Sequence, residues 1–170
     1  MRLGIAAVTM MVFGGLAAAQ HQHSPSPYTG LEQRAIKALS EQQISDLRAG
    51  RGMGLALAAE LNGYPGPLHV LELADQIELS GEQRERVRQL YDSMKAEAVP
   101  VGEILIAHEG ELDRAFAEGS ISPATLASLT AKIGETQGRL RAIHLKYHLT
   151  TADLLSTHQR HRYAEFRGYR

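Results

Sequence analysis

The chain has 170 residues, with 18 Lys and Arg against 19 Asp and Glu, no cysteine and no tryptophan. A formal net charge of -1 gives no electrostatic reason to expect nucleic acid as a partner. Without cysteine there are no disulfide staples, thiolate metal sites or thiol chemistry, so stability has to come from packing or oligomerisation.

At the start of the chain, Arg2 supplies a short positive region and Leu3 to Ala18 run apolar. Ala17-Ala18-Ala19 then offers the small-x-small pattern read by signal peptidase. The apolar run is shorter than the roughly 20 residues that span a bilayer, and polar residues from His21 to Pro27 follow it. Residues 1–19 are therefore expected to be a cleaved export signal, leaving no transmembrane segment in the mature chain, with an uncleaved anchor as the alternative. Residues 20–38 read as a disordered or extended leader and residues 39–170 as a helical domain. About 150 residues are enough for one domain with a sizeable core. Alanine, leucine, glutamate, glutamine and arginine dominate while aromatics make up only 5%, which favours an all-α fold.

Helix starts come next. Leu39-Ser40-Glu41-Gln42-Gln43, Leu79-Ser80-Gly81-Glu82-Gln83 and Leu155-Ser156-Thr157-His158-Gln159 all read Leu-Ser-x-x-Gln. Each is a capping box: the serine hydroxyl accepts from the N–H three residues on, and the glutamine side chain accepts from the serine N–H. A fourth start stands at Ile121-Ser122-Pro123, with serine as cap and proline at the first helical position. Between the first two boxes, Gly50-Arg51-Gly52-Met53-Gly54 opens an apolar stretch from Leu55 to Leu61, which Asn62 to Pro67 stops. No strand precedes these glycines and no Gly-Lys-Ser/Thr follows, so they read as a flexible connector or tight turn and not as a nucleotide loop.

Two long helices form the body. Val87, Leu90, Met94, Ala98, Val101, Leu105, Leu112, Ala115 and Phe116 make one stripe, interrupted by His108. Leu126, Leu129, Ile133, Thr136, Leu140, Ile143 and Tyr147 make the other. Ala117-Glu118-Gly119-Ser120 is the expected reversal, giving an antiparallel hairpin, and Pro100 is expected to kink its first arm. Apolar residues left over at Leu55, Leu57, Leu68, Leu71, Leu73, Ile77, Leu154 and Leu155 call for shorter covering helices or a second copy. A homodimer is expected, with plain core packing in a monomeric bundle as the alternative.

These features together resemble the Spy/CpxP group of periplasmic proteins, whose mark is a repeated Leu-Thr-x-x-Gln. The resemblance spans roughly Leu68 to Tyr169, and the matching positions are Leu79, Ser80, Gln83 and Leu155, Ser156, Gln159. Serine replaces threonine in both boxes, which keeps the cap. The box at Leu39 and the glycine-rich insert from Gly50 to Gly66 lie outside the usual pattern. The resemblance implies a periplasmic, non-enzymatic envelope-stress role: ATP-independent binding of unfolded or misfolded envelope proteins by a cradle-shaped dimer. A related branch of zinc and heavy-metal resistance proteins implies metal binding or sensing as the alternative. For client contact the candidates are the mixed-charge run Glu82 to Arg88 and the basic Arg160, His161, Arg162, Arg167 and Arg170, each of which also reads as an ordinary solvated face.

The histidines carry the metal question. His144 and His148 are four apart and share a helical face, a spacing that suits two nitrogens on one metal, and His158 and His161 repeat the idea at three. A turn near Gly119 places Met94 opposite His144 and about residue 130 opposite His108, so no third or fourth ligand is evident. Structural or surface histidine is the stronger reading for both pairs. His21 and His23 beside Gln20 suit weak zinc or copper binding, against the plainer reading of a polar leader. Glu109, Glu111 and Asp113 gather near His108, yet neither a nucleophile elbow nor a metalloprotease helix is present. No enzyme and no required cofactor are expected.

Overall fold

The computed structural model describes residues 26–169. The expected signal, residues 1–19, and His21 and His23 lie outside that range. A short 3₁₀ turn, Leu31–Gln33, precedes six helices: α1 (Glu41–Arg48), α2 (Leu57–Glu60), α3 (Pro67–Glu72), α4 (Gly81–Ala117), α5 (Pro123–Leu154) and α6 (Thr157–Phe166). Among the described residues the fold is helical without strands, save a lone bridge between Ile36 and Leu39. None of these helices is long and apolar enough to cross a membrane.

Local chemistry fixes the helix ends. Ser40, Ser80 and Ser156 each head a complete capping box, and Ser122 caps α5 with Pro123 in the first turn. The end of α4 is closed by a left-handed Gly119 (φ 64), with the Ser120 N–H on the Ala115 carbonyl at 3.0 Å and the Gly119 N–H on the Phe116 carbonyl at 3.2 Å. A side chain at Gly119 would strain that reversal. α4 continues through Pro100, which sits on the exposed face, where water can serve the carbonyl its ring leaves unpaired.

Helices α4 and α5 pack along their lengths. Contacts at Glu97–Tyr147 (2.7 Å) and His108–Thr136 (3.3 Å) show their directions opposed. The apolar stripes meet in one core containing Met94, Ala98, Val101, Leu105, Ile133, Leu140, Ile143 and Tyr147. The stripes stop short of the reversal, where Phe116 and Leu126 are 57% and 39% exposed. The preceding segment lies along α4 in the opposite sense: Lys37 pairs with Asp113 at 3.2 Å, and Arg48 pairs with Glu103 at 3.0 Å. Leu47 crosses α4 at Gly102, where an added Cβ would stand 2.7 Å from the Leu47 carbonyl oxygen. A second core, with Val70, Ala74, Ile77, Leu79, Val87, Leu155 and Tyr163, gathers α3, the start of α4 and α6.

Candidate functional site

In the second core the boxes of α4 and α6 meet face to face. Gln83 Oε1 accepts from the Ser80 N–H at 3.1 Å, and Gln159 Oε1 accepts from the Ser156 N–H at 3.0 Å. Gln83 Nε2 donates to Gln159 Oε1 at 3.0 Å and to the Leu154 carbonyl at 2.8 Å. Gln159 Nε2 donates to Gln83 Oε1 at 2.9 Å and to the Glu78 carbonyl at 3.3 Å. Leu154 and Glu78 each stand two residues before a capping serine, so the two boxes trade equivalent bonds. Both carboxamides are thereby satisfied at both ends, as half-buried and buried amides require. Leu79 and Leu155 are buried beside them. The Ser40–Gln43 box closes on itself, and Gln43 is exposed.

Above this pair, the Gly50–Gly66 insert folds back over α4 and α5. Its one carboxylate, Glu60, is 6% exposed and surrounded by donors. Oε1 accepts from the Tyr163 hydroxyl and from the Tyr169 hydroxyl at 3.0 Å, and Oε2 accepts from the Gly66 N–H at 3.1 Å. His69 Nδ1 and Arg167 Nε lie 3.5 and 3.8 Å from Oε1. Burial alone raises the Glu60 carboxyl, but bonds from His69, Tyr163, the Gly66 N–H and Tyr169 outweigh it and hold the pKa at about 2. Tyr163 is pushed far upward by burial and by the Glu60 charge. So weak a base at neutral pH anchors the insert; it does not accept protons.

Two histidines of α5 lie beneath the insert. His148 Nδ1 is 2.7 Å from the Tyr64 carbonyl, and since a carbonyl only accepts, Nδ1 carries the proton. The His148 ring packs so closely on Gly66 that a Cβ there would stand 2.7 Å from Nε2. One turn earlier His144 faces Gly52, whose added Cβ would be 3.6 Å from Nδ1. His144 is 2% exposed, and its Nε2 has no hydrogen-bond partner among the described residues. Burial, then the neighbouring His148, lowers its pKa below the usual histidine value. Between insert and helices opens a cavity of about 360 Å³. Buried His144, His148 and Glu60 form its floor, Tyr91 and Met94 of α4 form a wall, and exposed Met53, Leu57 and Leu68 form the rim.

The structure brings His144 and His148 together, but it turns them toward the insert. No group of three or more His, Cys, Asp or Glu among the described residues is placed to hold a metal ion. His158 and His161 are exposed on α6, where His161 Nδ1 lies 3.3 Å from Glu165. His108 meets Thr136. Arg84 and Arg162, from the two candidate client surfaces, pair within the chain with Asp75 and Glu78, and Arg167 lies beside Glu60. Arg170 lies outside the described residues. Sequence reasoning missed Glu60, His69, Tyr163 and Tyr169. The available signal was a single acid inside the apolar stretch from Leu55 to Leu61, together with tyrosines late in a chain poor in aromatics. No family model, curated protein or solved structure matches this chain.

Proposed function

We propose that this protein is exported to the periplasm and binds unfolded or misfolded envelope proteins without ATP, as a curved helical hairpin that pairs with a second copy. The observation that carries this reading is the exchange between Gln83 and Gln159. Capping alone does not need it, since Ser40 and Gln43 cap α1 with no such partner. The recurrence of the motif therefore has a tertiary cause, which favours kinship with the Spy/CpxP group over three coincidental caps. An ATP-free binder needs charged surface interleaved with adaptable apolar contacts. Exposed Ile104, Phe116, Leu126, Leu149 and Phe166 among charged neighbours supply that mixture.

The test uses the purified chain from Gln20 onward and an aggregating unfolded client, without nucleotide, with and without zinc or copper. Suppression at near-stoichiometric amounts regardless of metal supports the reading. Suppression only with metal would move the function to His21, His23, His144 and His148. No suppression in either arm sinks it.

A further inference from the structure

We infer that the cavity beneath the Gly50–Gly66 insert is a client-gripping site that takes one large apolar side chain, aromatic or aliphatic, from an unfolded segment lying across Leu57 and Leu61. The site presupposes the unfolded-protein binding proposed above and adds where the client is held.

Size is the first ground. At about 360 Å³ the cavity lies at the low end of the roughly 300–1,000 Å³ typical of ligand sites, so it fits one large side chain better than an extended cofactor. Charge is the second. Glu60 is already met by two tyrosine hydroxyls and a backbone N–H, with His69 and Arg167 beside it. Arg51, also on the lining, is held by Asp46 at 2.6 Å. His144 is buried in its neutral form. No lining charge lacks a partner, and the one unpartnered polar atom on the floor, His144 Nε2, is uncharged, so the lining offers nothing to balance a charged occupant and suits a neutral one.

The rim supplies the third ground. Met53 is 42% exposed and holds a left-handed backbone (φ 42) between two glycines, Gly52 and Gly54. Glycine would adopt that conformation more easily, so what the position gains from methionine is a flexible thioether at the mouth. A left-handed non-glycine residue retained beside a cavity points to use of the side chain. Leu57 (54% exposed) and Leu61 (58%) stand one helical turn apart and extend the apolar surface past the cavity. A small ligand would leave that surface wet, whereas a peptide covers it.

The experiment uses the full mature chain and two fluorescein-labelled, Gly/Ser-rich peptides, one with a central Phe-Leu pair and one with Ser-Ser in its place. The Phe-Leu peptide should bind at least about tenfold tighter by anisotropy, the equivalent of one buried side chain. Met53→Gly should weaken that binding severalfold while leaving the thermal midpoint equal or higher, since it removes strain with the side chain. Gly52→Leu should fill the cavity and abolish the preference. Equal binding of both peptides overturns the site. So does wild-type peptide binding in Met53→Gly and Gly52→Leu with aggregation suppression intact, an outcome that leaves the function standing with its client surface elsewhere. A chain that neither binds the Phe-Leu peptide nor suppresses aggregation loses both function and site.

Discussion

Gln83 and Gln159, 76 positions apart, bind each other through both ends of their carboxamides, at 3.0 and 2.9 Å. Each also closes its own helix cap, so the starts of α4 and α6 are one hydrogen-bonded unit. Loss of either glutamine frays its own cap and strands the amide opposite.

Gln83→Ala and Gln159→Ala should each cost about 1–3 kcal/mol, the range for leaving a buried polar partner unpaired. Gln43→Ala, which loses only a cap bond on an exposed helix start, should cost about 1 kcal/mol or less. The double variant at 83 and 159 should cost less than the sum of its singles, because the second substitution strands no further partner. Urea midpoints of the four proteins check this. Strict additivity, or an equal loss at position 43, would show that the pair acts only as two separate caps.

What the sequence made readable and what it hid divide along the same line. The capping boxes are local, three residues from donor to acceptor, and so are the apolar stripes, whose members from Val87 to Leu105 and from Leu129 to Tyr147 are largely buried. Nothing local separates Ser40–Gln43 from the other two boxes, because what distinguishes them is a partner 76 positions away. Periodicity also continues through Phe116 and Leu126, yet those side chains are exposed because nothing packs over them near the reversal. Glu60 was hidden for the same reason: its donors come from positions 66, 69, 163 and 169. The glycine cluster read as a connector, whereas its fold over His144 and His148 is a tertiary fact.

Glu60 should make stability fall in acid. Its carboxyl stands at about 2 in the folded chain against 4.5 ordinarily. Its contribution is therefore complete above 4.5 and is lost as pH falls through about 2. The difference corresponds to about 3 kcal/mol. Glu60→Gln should lower stability at pH 7 by an amount of that order and flatten the profile between about pH 5 and 2. Denaturant melts across that window test it, and an unchanged profile in Glu60→Gln would remove the carboxylate from the account.

His144 acts at milder pH. The groups around its cavity are His148 on its own helix, Arg51 and Glu60 from the insert, His69 of α3 and Tyr91 of α4. Burial, then His148, lowers its pKa below 6.5, so the unfolded chain takes the proton more readily. Stability is then full above 6.5 and declines as pH drops through the lowered folded value. His144→Leu removes the proton site and the unpartnered Nε2 together. Its stability should fall less between pH 7 and pH 5 than that of the wild type. A slope identical to wild type would assign the acid sensitivity to another group.

Glycines give the test with opposite signs from one chemical change. At Gly102 the backbone of α1 lies directly on α4, and an added Cβ would stand 2.7 Å from the Leu47 oxygen and 3.2 Å from its carbonyl carbon. The obstacle is backbone, so α1 has to lift. Gly102→Ala should destabilise by about 1–3 kcal/mol through overpacking. Gly134 and Gly138 lie inside α5 on its open face, with nothing within 4 Å of an added Cβ. Alanine there meets no neighbour and restricts the unfolded chain, so each change should stabilise by about 0.4–1 kcal/mol. Urea midpoints of the three variants decide the matter. If Gly102→Ala gains stability as the α5 variants do, α1 is not seated on α4 at Leu47, and the segment that carries the insert to its place over His144 and His148 is anchored differently.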